Sequence, residues 1–345
     1  MSLGLTANRL TYLLPRSFAE KLSSGSIPFP ESVVVTQLKT AVLIIVYNRP
    51  QLARRVIASL AKVAPEKIYV AADGPNPHVL YDIERCNQTR SLFVERSSEF
   101  VTWPCQINTL FQSSNLGCRA GVTAALDWFF EKEEEGIVLE DDIVADPSFF
   151  PFCQELLERY RHDERVGVIA ANNHQRLPPS DGSSYRFSIY SHCWGWASWR
   201  RAWRCNDPAL KGWPAFRDGQ WLEQLGGEPL ARRWGQWLEQ LAAGQIDTWD
   251  MVWQFSCWQQ GFLTVIPAVE LVENIGFGIE ATHTLDERSP LGTPGSLSFP
   301  LRHPTVMQAD RFRDQDTFRR LFQRSRRADW LRKGRKALRL LGWRS

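Results

Sequence analysis

Residues Gly136-Ile137-Val138-Leu139-Glu140-Asp141-Asp142 run from an apolar stretch straight into three consecutive carboxylates. Aliphatic side chains without polar alternation predict a strand buried on both faces, which requires cover on both sides of a sheet. The carboxylates then fall where that strand leaves the core. Like charges at such spacing repel and raise one another's pKa, so folding alone has little use for them, and a divalent cation would relieve the repulsion. The plain alternative is a solvated acidic turn ahead of a helix. In an extended strand Glu140 and Asp142 share a face and Asp141 points the other way.

The preceding chain repeats one pattern. Ala41–Val46 is a second continuous apolar run, stopped by Tyr47-Asn48-Arg49-Pro50. Leu52, Val56, Leu60 and Val63 recur at helical spacing. Lys67–Ala72 reads as a strand ended by Asp73-Gly74-Pro75, making a strand–helix–strand unit of parallel type. A helix near Tyr81–Glu95, a strand Gln106–Phe111, the turn Asn115-Leu116-Gly117 and a helix Arg119–Glu133 lead to the acidic stretch. In such sheets ligands bind at the carboxyl ends of the strands. Arg49, Asp73, Asn115 and Glu140–Asp142 all fall there, as candidates for a nucleotide and its cation.

Past Asp142 the pattern predicts a helix capped by Asp146-Pro147, strands at Arg165–Ala170, Tyr185–Ser191, Phe262–Ile266 and Glu270–Val272, and helices around Ser198–Arg204, Gly219–Leu225, Pro229–Ala243 and Trp249–Gln259. Most of the fifteen tryptophans lie between Trp194 and Trp258, either as a sugar-stacking surface or as a Trp-rich core. Asp250 stands among them in Ile246-Asp247-Thr248-Trp249-Asp250-Met251-Val252-Trp253, where partial desolvation suits a general base. Against this, Asp247 or Thr248 could cap the following helix, with Asp250 as an acid of its first turn. His283, in the loop after Asn274-Ile275-Gly276-Phe277-Gly278, could touch a cation or diphosphate or be a solvated loop residue. His174 and His192 read rather as polar core residues.

Seven scattered cysteines without a CxxC argue against a disulfide framework or zinc knuckle and for a reducing compartment. Met1–Leu14 lacks the basic and then apolar pattern of a signal peptide, and no apolar run is long enough to span a bilayer, so a cytoplasmic protein is expected. The net charge of +3 defines no class, and the body is not basic enough for nucleic acid. Positive charge gathers instead at Arg311–Ser345, interleaved with Trp330, Leu331, Leu338, Leu340, Leu341 and Trp343. A basic helix of that kind can lie on an anionic membrane face, or pack on a partner. The expected division is an extension 1–38, a catalytic domain 39–304 with a nucleotide-binding half 39–145 and an acceptor half 146–304, and a basic amphipathic tail 305–345.

With these residues in view, Ala41–Thr284 resembles the glycosyltransferases of the GT-A class, nearest to the N-acetylglucosaminyltransferase I family and to bacterial relatives labelled hemolytic-protein-like. Val138–Phe150 is similar to the family's Glu-Asp-Asp motif and its Phe-Phe helix. The resemblance implies an α/β GT-A fold, a Rossmann-like mixed sheet flanked by helices. It implies a Mn²⁺ or Mg²⁺ ion on Asp142 and a nucleotide-sugar donor. It makes Glu140 and Asp141 partners of the ribose or of water at the metal, Arg49 a nucleotide contact and Asp73 the reader of a uracil. Trp249-Asp250 resembles the Trp-Asp of the family's catalytic helix. The family places two adjacent acids there and this chain has Met251 after Asp250, so Asp247 stays a second candidate. Near Asn115–Arg119, where both residues are candidates for the nucleotide, the family's histidine has no counterpart. The implied activity is metal-dependent, inverting transfer of a hexosyl or N-acetylhexosaminyl group, with UDP-sugars favoured, to a glycan or lipid-linked acceptor, as in polysaccharide biosynthesis. The alternatives are a sugar-nucleotide nucleotidyltransferase, which usually opens with a glycine-rich loop where this chain has Tyr47-Asn48-Arg49-Pro50, and a non-catalytic carbohydrate-binding protein.

Overall fold

Strands without alternation need partners on both edges and helices on both faces, and the computed structural model supplies them. It describes residues 37–94, 100–175, 179–277 and 294–323, within a unit that begins at Gln37. The extension 1–36, His283 and residues 324–345 of the tail lie outside the described residues.

Among the described residues the strands are β1 (Val42–Val46), β2 (Lys67–Ala72), β3 (Gln106–Phe111), β4 (Glu135–Glu140), β5 (Ile143–Ala145), β6 (Val166–Ala170), β7 (Tyr185–Ser188), β8 (Trp196–Trp199), β9 (Leu263–Pro267) and β10 (Val272–Asn274). The helices are α1 (Pro50–Leu60), α2 (Asp82–Val94), α3 (Cys118–Lys132), α4 (Phe149–Arg159), α5 (Arg200–Trp203), α6 (Trp213–Asp218), α7 (Trp221–Gly226), α8 (Glu228–Ala242), α9 (Asp250–Gln260) and α10 (Arg311–Thr317). Eight strands form one sheet in the order β3-β2-β1-β4-β8-β6-β9-β7, and β5 pairs with β10 separately. Strands β1 to β4 run parallel, β8 is antiparallel to both β4 and β6, and β7 is antiparallel to β9. This is the α/β fold expected, a mixed sheet with a Rossmann-like parallel half. The chain steps outward from β1 to β3 and returns to β4 on the other side of β1. A crevice opens at such a reversal, beyond the carboxyl ends of the strands.

Local chemistry explains the element ends. Pro50 starts α1 at a position where its missing N–H costs nothing, and Ala53, Val56, Ile57 and Leu60 turn inward. Gly261 ends α9 in the left-handed region at φ 69°. The strand leaves the core at the carboxylates as expected, β4 ending at Glu140, but Asp141-Asp142 form a turn into β5 rather than continuing the extended chain. Asp146 does not cap α4 directly. It accepts from Ser148 N and Oγ at 2.9 and 2.6 Å, and the helix begins at Phe149. Trp196–Trp199, expected to run into a helix at Ser198, is instead the buried strand that joins the two halves of the sheet.

The tryptophans are mainly core. Trp196 stacks on Trp249 with centroids 5.8 Å apart, and Trp203 meets Trp253 at 5.0 Å. Trp253→Ala is expected to lower unfolding free energy by about 3–5 kcal/mol, read from denaturant midpoints. The described start of the basic tail is also packed. Thr317 and Phe318 are buried, and Phe322 contacts Tyr190 and Trp234 at 5.3 and 5.2 Å. Among the described residues no helix is long and apolar enough to cross a membrane.

Candidate functional site

The crevice at the ends of β1 to β4 is a cavity of about 670 Å³, lined by Arg49, Asp73, Asn115, Glu140, Asp141, Asp142 and Asp247 among others. Seven of the sequence candidates therefore meet in one place. Their side chains differ in how far they are engaged in holding the walls.

The acidic turn forms the floor. Asp141 is buried, with one oxygen accepting Tyr47 N at 3.1 Å and the other paired to Arg49. It holds the end of β1 against the end of β4. Asp142 Oδ2 pairs with Arg49 Nη1 at 2.8 Å. The backbone of Asp142 is fixed as well, since its carbonyl accepts Ile275 N at 2.8 Å. At Gly276 any Cβ would overlap Asp142 Oδ2, so only glycine lets the chain pass the carboxylate. Glu140 is pushed up to about 8, first by burial and then by the charges of Asp142 and Asp141, against the pull of Arg49.

Asp73 is an anchor. Its Oδ1 accepts Gly74 N at 2.8 Å and Leu116 N at 2.9 Å, and Oδ2 accepts Gly117 N at 3.2 Å. It is the Asp-Gly turn seen in the sequence, extended to knit the loop after β2 to the loop after β3. Asn115 does the same from the other side, donating to Gly74 O at 2.9 Å. Arg119 does not line the cavity; its guanidinium is spent on the carbonyls of Leu241 and Pro208.

The two acids of the Trp-rich half are engaged differently. Asp247 caps a helix, but a different one from that expected. Its carboxylate accepts Cys118 N at 3.1 Å and Arg119 N at 3.2 Å, the first amides of α3, whose own N-cap Gly117 has no side chain to offer. Asp250 opens α9 with no such commitment to a distant backbone, and accepts a hydrogen bond from Thr248 Oγ1. It sits near enough for its charge to raise the pKa values of Cys118 and Glu140.

Asp82 is a residue that the sequence reading missed. Fully buried, it accepts from Tyr47 Oη at 2.5 Å, Asn48 Nδ2 at 2.5 Å and Asn76 N at 2.6 Å, joining the loops after β1 and β2. The only local signal was an acid in the first turn of a helix. Beyond Trp194, His174 and His192 pack with ring centroids 4.4 Å apart. Burial lowers both, His174 to about 3, so they are neutral core residues.

Next to them Glu270 Oε2 accepts Asn173 N at 3.1 Å, yet burial outweighs these bonds and pushes the acid up to about 7. The unfolded chain then ionises Glu270 at a lower pH than the folded one. Its contribution is fully favourable below the unfolded pKa and is lost as pH rises toward 7. Glu270→Gln is therefore expected to raise the melting temperature at pH 8 and to leave it nearly unchanged at pH 4, as calorimetry at the two values would show.

No protein-family model and no curated protein matches the sequence. Among solved structures the chain is similar to mannose-1-phosphate geranyltransferase from Thermus thermophilus, at 14% identity over 67% of this chain and 74% of that one, TM-score 0.31. It is similar to the glycosyltransferase GlyE of Streptococcus pneumoniae, at 12% identity over 66% of this chain and 45% of that one, TM-score 0.30. Mouse xyloside xylosyltransferase 1 gives 13% identity over 64% and 81%, TM-score 0.31. At such identities no residue role passes from those proteins to this chain.

A divalent cation can be tested against the donors present. Among the described residues no three His, Cys, Asp or Glu side chains converge on one point, so a cage made wholly of protein is absent there. What the floor offers is Asp142 beside an excess of carboxylate over guanidinium charge. That suits Mg²⁺ or Mn²⁺ held by one or two carboxylates, with substrate phosphates completing the shell.

Proposed function

We propose that this chain is a glycosyltransferase that moves a sugar from a nucleoside-diphosphate sugar, UDP-sugars first, to a hydroxyl of a glycan or lipid-linked acceptor, with inversion. The observation that carries the reading is one cleft in which Arg49, Glu140 and Asp142 form the floor at the strand ends. Asp250 does not line that cavity but stands near enough for its charge to act on Glu140.

Asp142 would hold Mn²⁺ or Mg²⁺, with His283 as a second ligand from the segment after Gly276, and the ion would neutralise charge on the leaving diphosphate. Arg49 offers planar N–H donors suited to phosphate oxygens. Asp250 takes the proton from the acceptor hydroxyl as that oxygen attacks the anomeric carbon from the face opposite the diphosphate. One base suffices for such a displacement, without a covalent sugar–protein intermediate. Asp250 is preferred to Asp247 because the carboxylate of Asp247 is engaged by the amides of α3. Asp73, Asn115, Asp141 and Asp82 shape the donor cleft through the backbone they hold. The proposed setting is the cytoplasm, with residues 324–345 resting on the inner membrane face where the acceptor carries a lipid.

The test is a panel of nucleoside-diphosphate sugars incubated with the protein and Mn²⁺, followed by assay of the released nucleoside diphosphate. Release from one nucleotide class, lost on chelation, supports the reading. Release of pyrophosphate from a nucleoside triphosphate and a sugar phosphate, with no release from any sugar nucleotide, would replace it by nucleotidyl transfer.

A further inference from the structure

Arg49 ends β1 and spans the two aspartates of the acidic turn. Its Nη2 pairs with Asp141 Oδ1 and its Nη1 with Asp142 Oδ2 at 2.8 Å. The guanidinium is mostly covered, with 15% of the side chain exposed, and it lines the cleft. Asp141 is fully engaged, since its second oxygen accepts Tyr47 N. The chain at Gly276 also passes close to Asp142 Oδ2, near enough that a Cβ there would overlap it. The carboxylate best placed to hold a cation is thus already serving a resident one. A guanidinium and a divalent ion compete for the same negative charge, and the same guanidinium fork fits a phosphate as well as it fits a carboxylate.

We infer that Arg49 is an exchangeable counter-ion. With the cleft empty it neutralises Asp142. A diphosphate draws its N–H groups onto phosphate oxygens, and Asp142 is released to a divalent ion. Charge balances across the exchange: the Arg49–Asp142 pair is replaced by an Arg49–phosphate pair and a cation–Asp142 pair. The cation and the diphosphate consequently bind with positive coupling, and each must strengthen the other by the same factor. This rests on the nucleoside-diphosphate reading above and adds to it the order the site imposes: a cation alone is held off.

The experiment measures Mn²⁺ bound to the full chain from the electron paramagnetic resonance signal of free Mn²⁺, with and without UDP, against a protein-free Mn²⁺–UDP control. Wild type should bind Mn²⁺ weakly alone and about tenfold or more tightly with UDP. Arg49→Met should bind Mn²⁺ alone about tenfold more tightly than wild type, with a smaller gain from UDP. Equal Mn²⁺ affinity of wild type and a folded Arg49→Met protein, both without UDP, overturns the inference. Should Arg49→Met fail to fold, Arg49→Lys serves, because a single ammonium cannot bridge both carboxylates as the fork does. Its Mn²⁺ affinity without UDP should exceed that of wild type, and equality again overturns the inference. Wild type that binds no UDP in any arm overturns the proposed function instead, and the comparison without UDP still decides the role of Arg49.

Discussion

Asp250→Asn should lower sugar transfer by about 10²–10⁴-fold, the usual contribution of a positioned base, while leaving nucleotide binding close to that of wild type. The two side chains are nearly isosteric, and the amide oxygen of asparagine can still accept the hydrogen bond from Thr248. What disappears is the ability to take a proton. The binding half of the prediction follows from placement: Asp250 opens α9, whereas the groups that would meet the diphosphate sit on the cleft floor. The check is calorimetry with UDP and Mn²⁺ beside a transfer assay. Transfer by the variant at the wild-type rate would remove Asp250 from the mechanism. The companion Asp247→Ala should act on stability, since the lost cap of α3 is worth about 1 kcal/mol.

The second large effect belongs to the floor. Asp142→Ala is expected to reduce donor turnover by at least about a hundredfold, the scale of losing one preorganised electrostatic contact to developing charge. Stability should hold or improve. Removing this charge relieves its repulsion of Glu140, and Arg49 keeps its partner Asp141. A fall in turnover with an unchanged or higher melting temperature distinguishes a site residue from a structural one. Asp142→Ala protein that turns over donor normally would take the cation off this residue.

Much of this was legible because the parallel half obeys local rules. Strands β1 and β2 are continuous apolar runs, and β1 and β4 are each followed by a turn. Arg49, Asp73, Glu140, Asp141 and Asp142, which line the cleft, fall between the last strand position and three positions beyond it. Strand β8 was hidden because Trp-Ala-Ser-Trp carries no strand pattern of its own; its two sheet neighbours, distant in sequence, decide its conformation. The role of Asp247 was hidden for the same reason. A local reading lets it cap the helix that follows it, but the amides it serves lie 129 and 128 positions earlier. Asp82 likewise gathers its partners from 34 and 35 positions upstream. Side chains that line the cleft floor stand at strand ends, where sequence marks them. Side chains that hold loops together are set by tertiary contacts that no spacing encodes.

The stapling of Asp73, Asn115, Asp82 and Asp141 onto neighbouring segments also limits how the cleft can be altered by substitution. Each of these residues holds together loops that meet at the cleft, so changing one damages the scaffold before it changes what the cleft accepts. Val79, Leu110 and Gln112 line the same cavity outside that set of ties. A change in what the cleft accepts, whether reached by drift or by design, is therefore easier at wall positions of this kind than at the residues that tie the loops together.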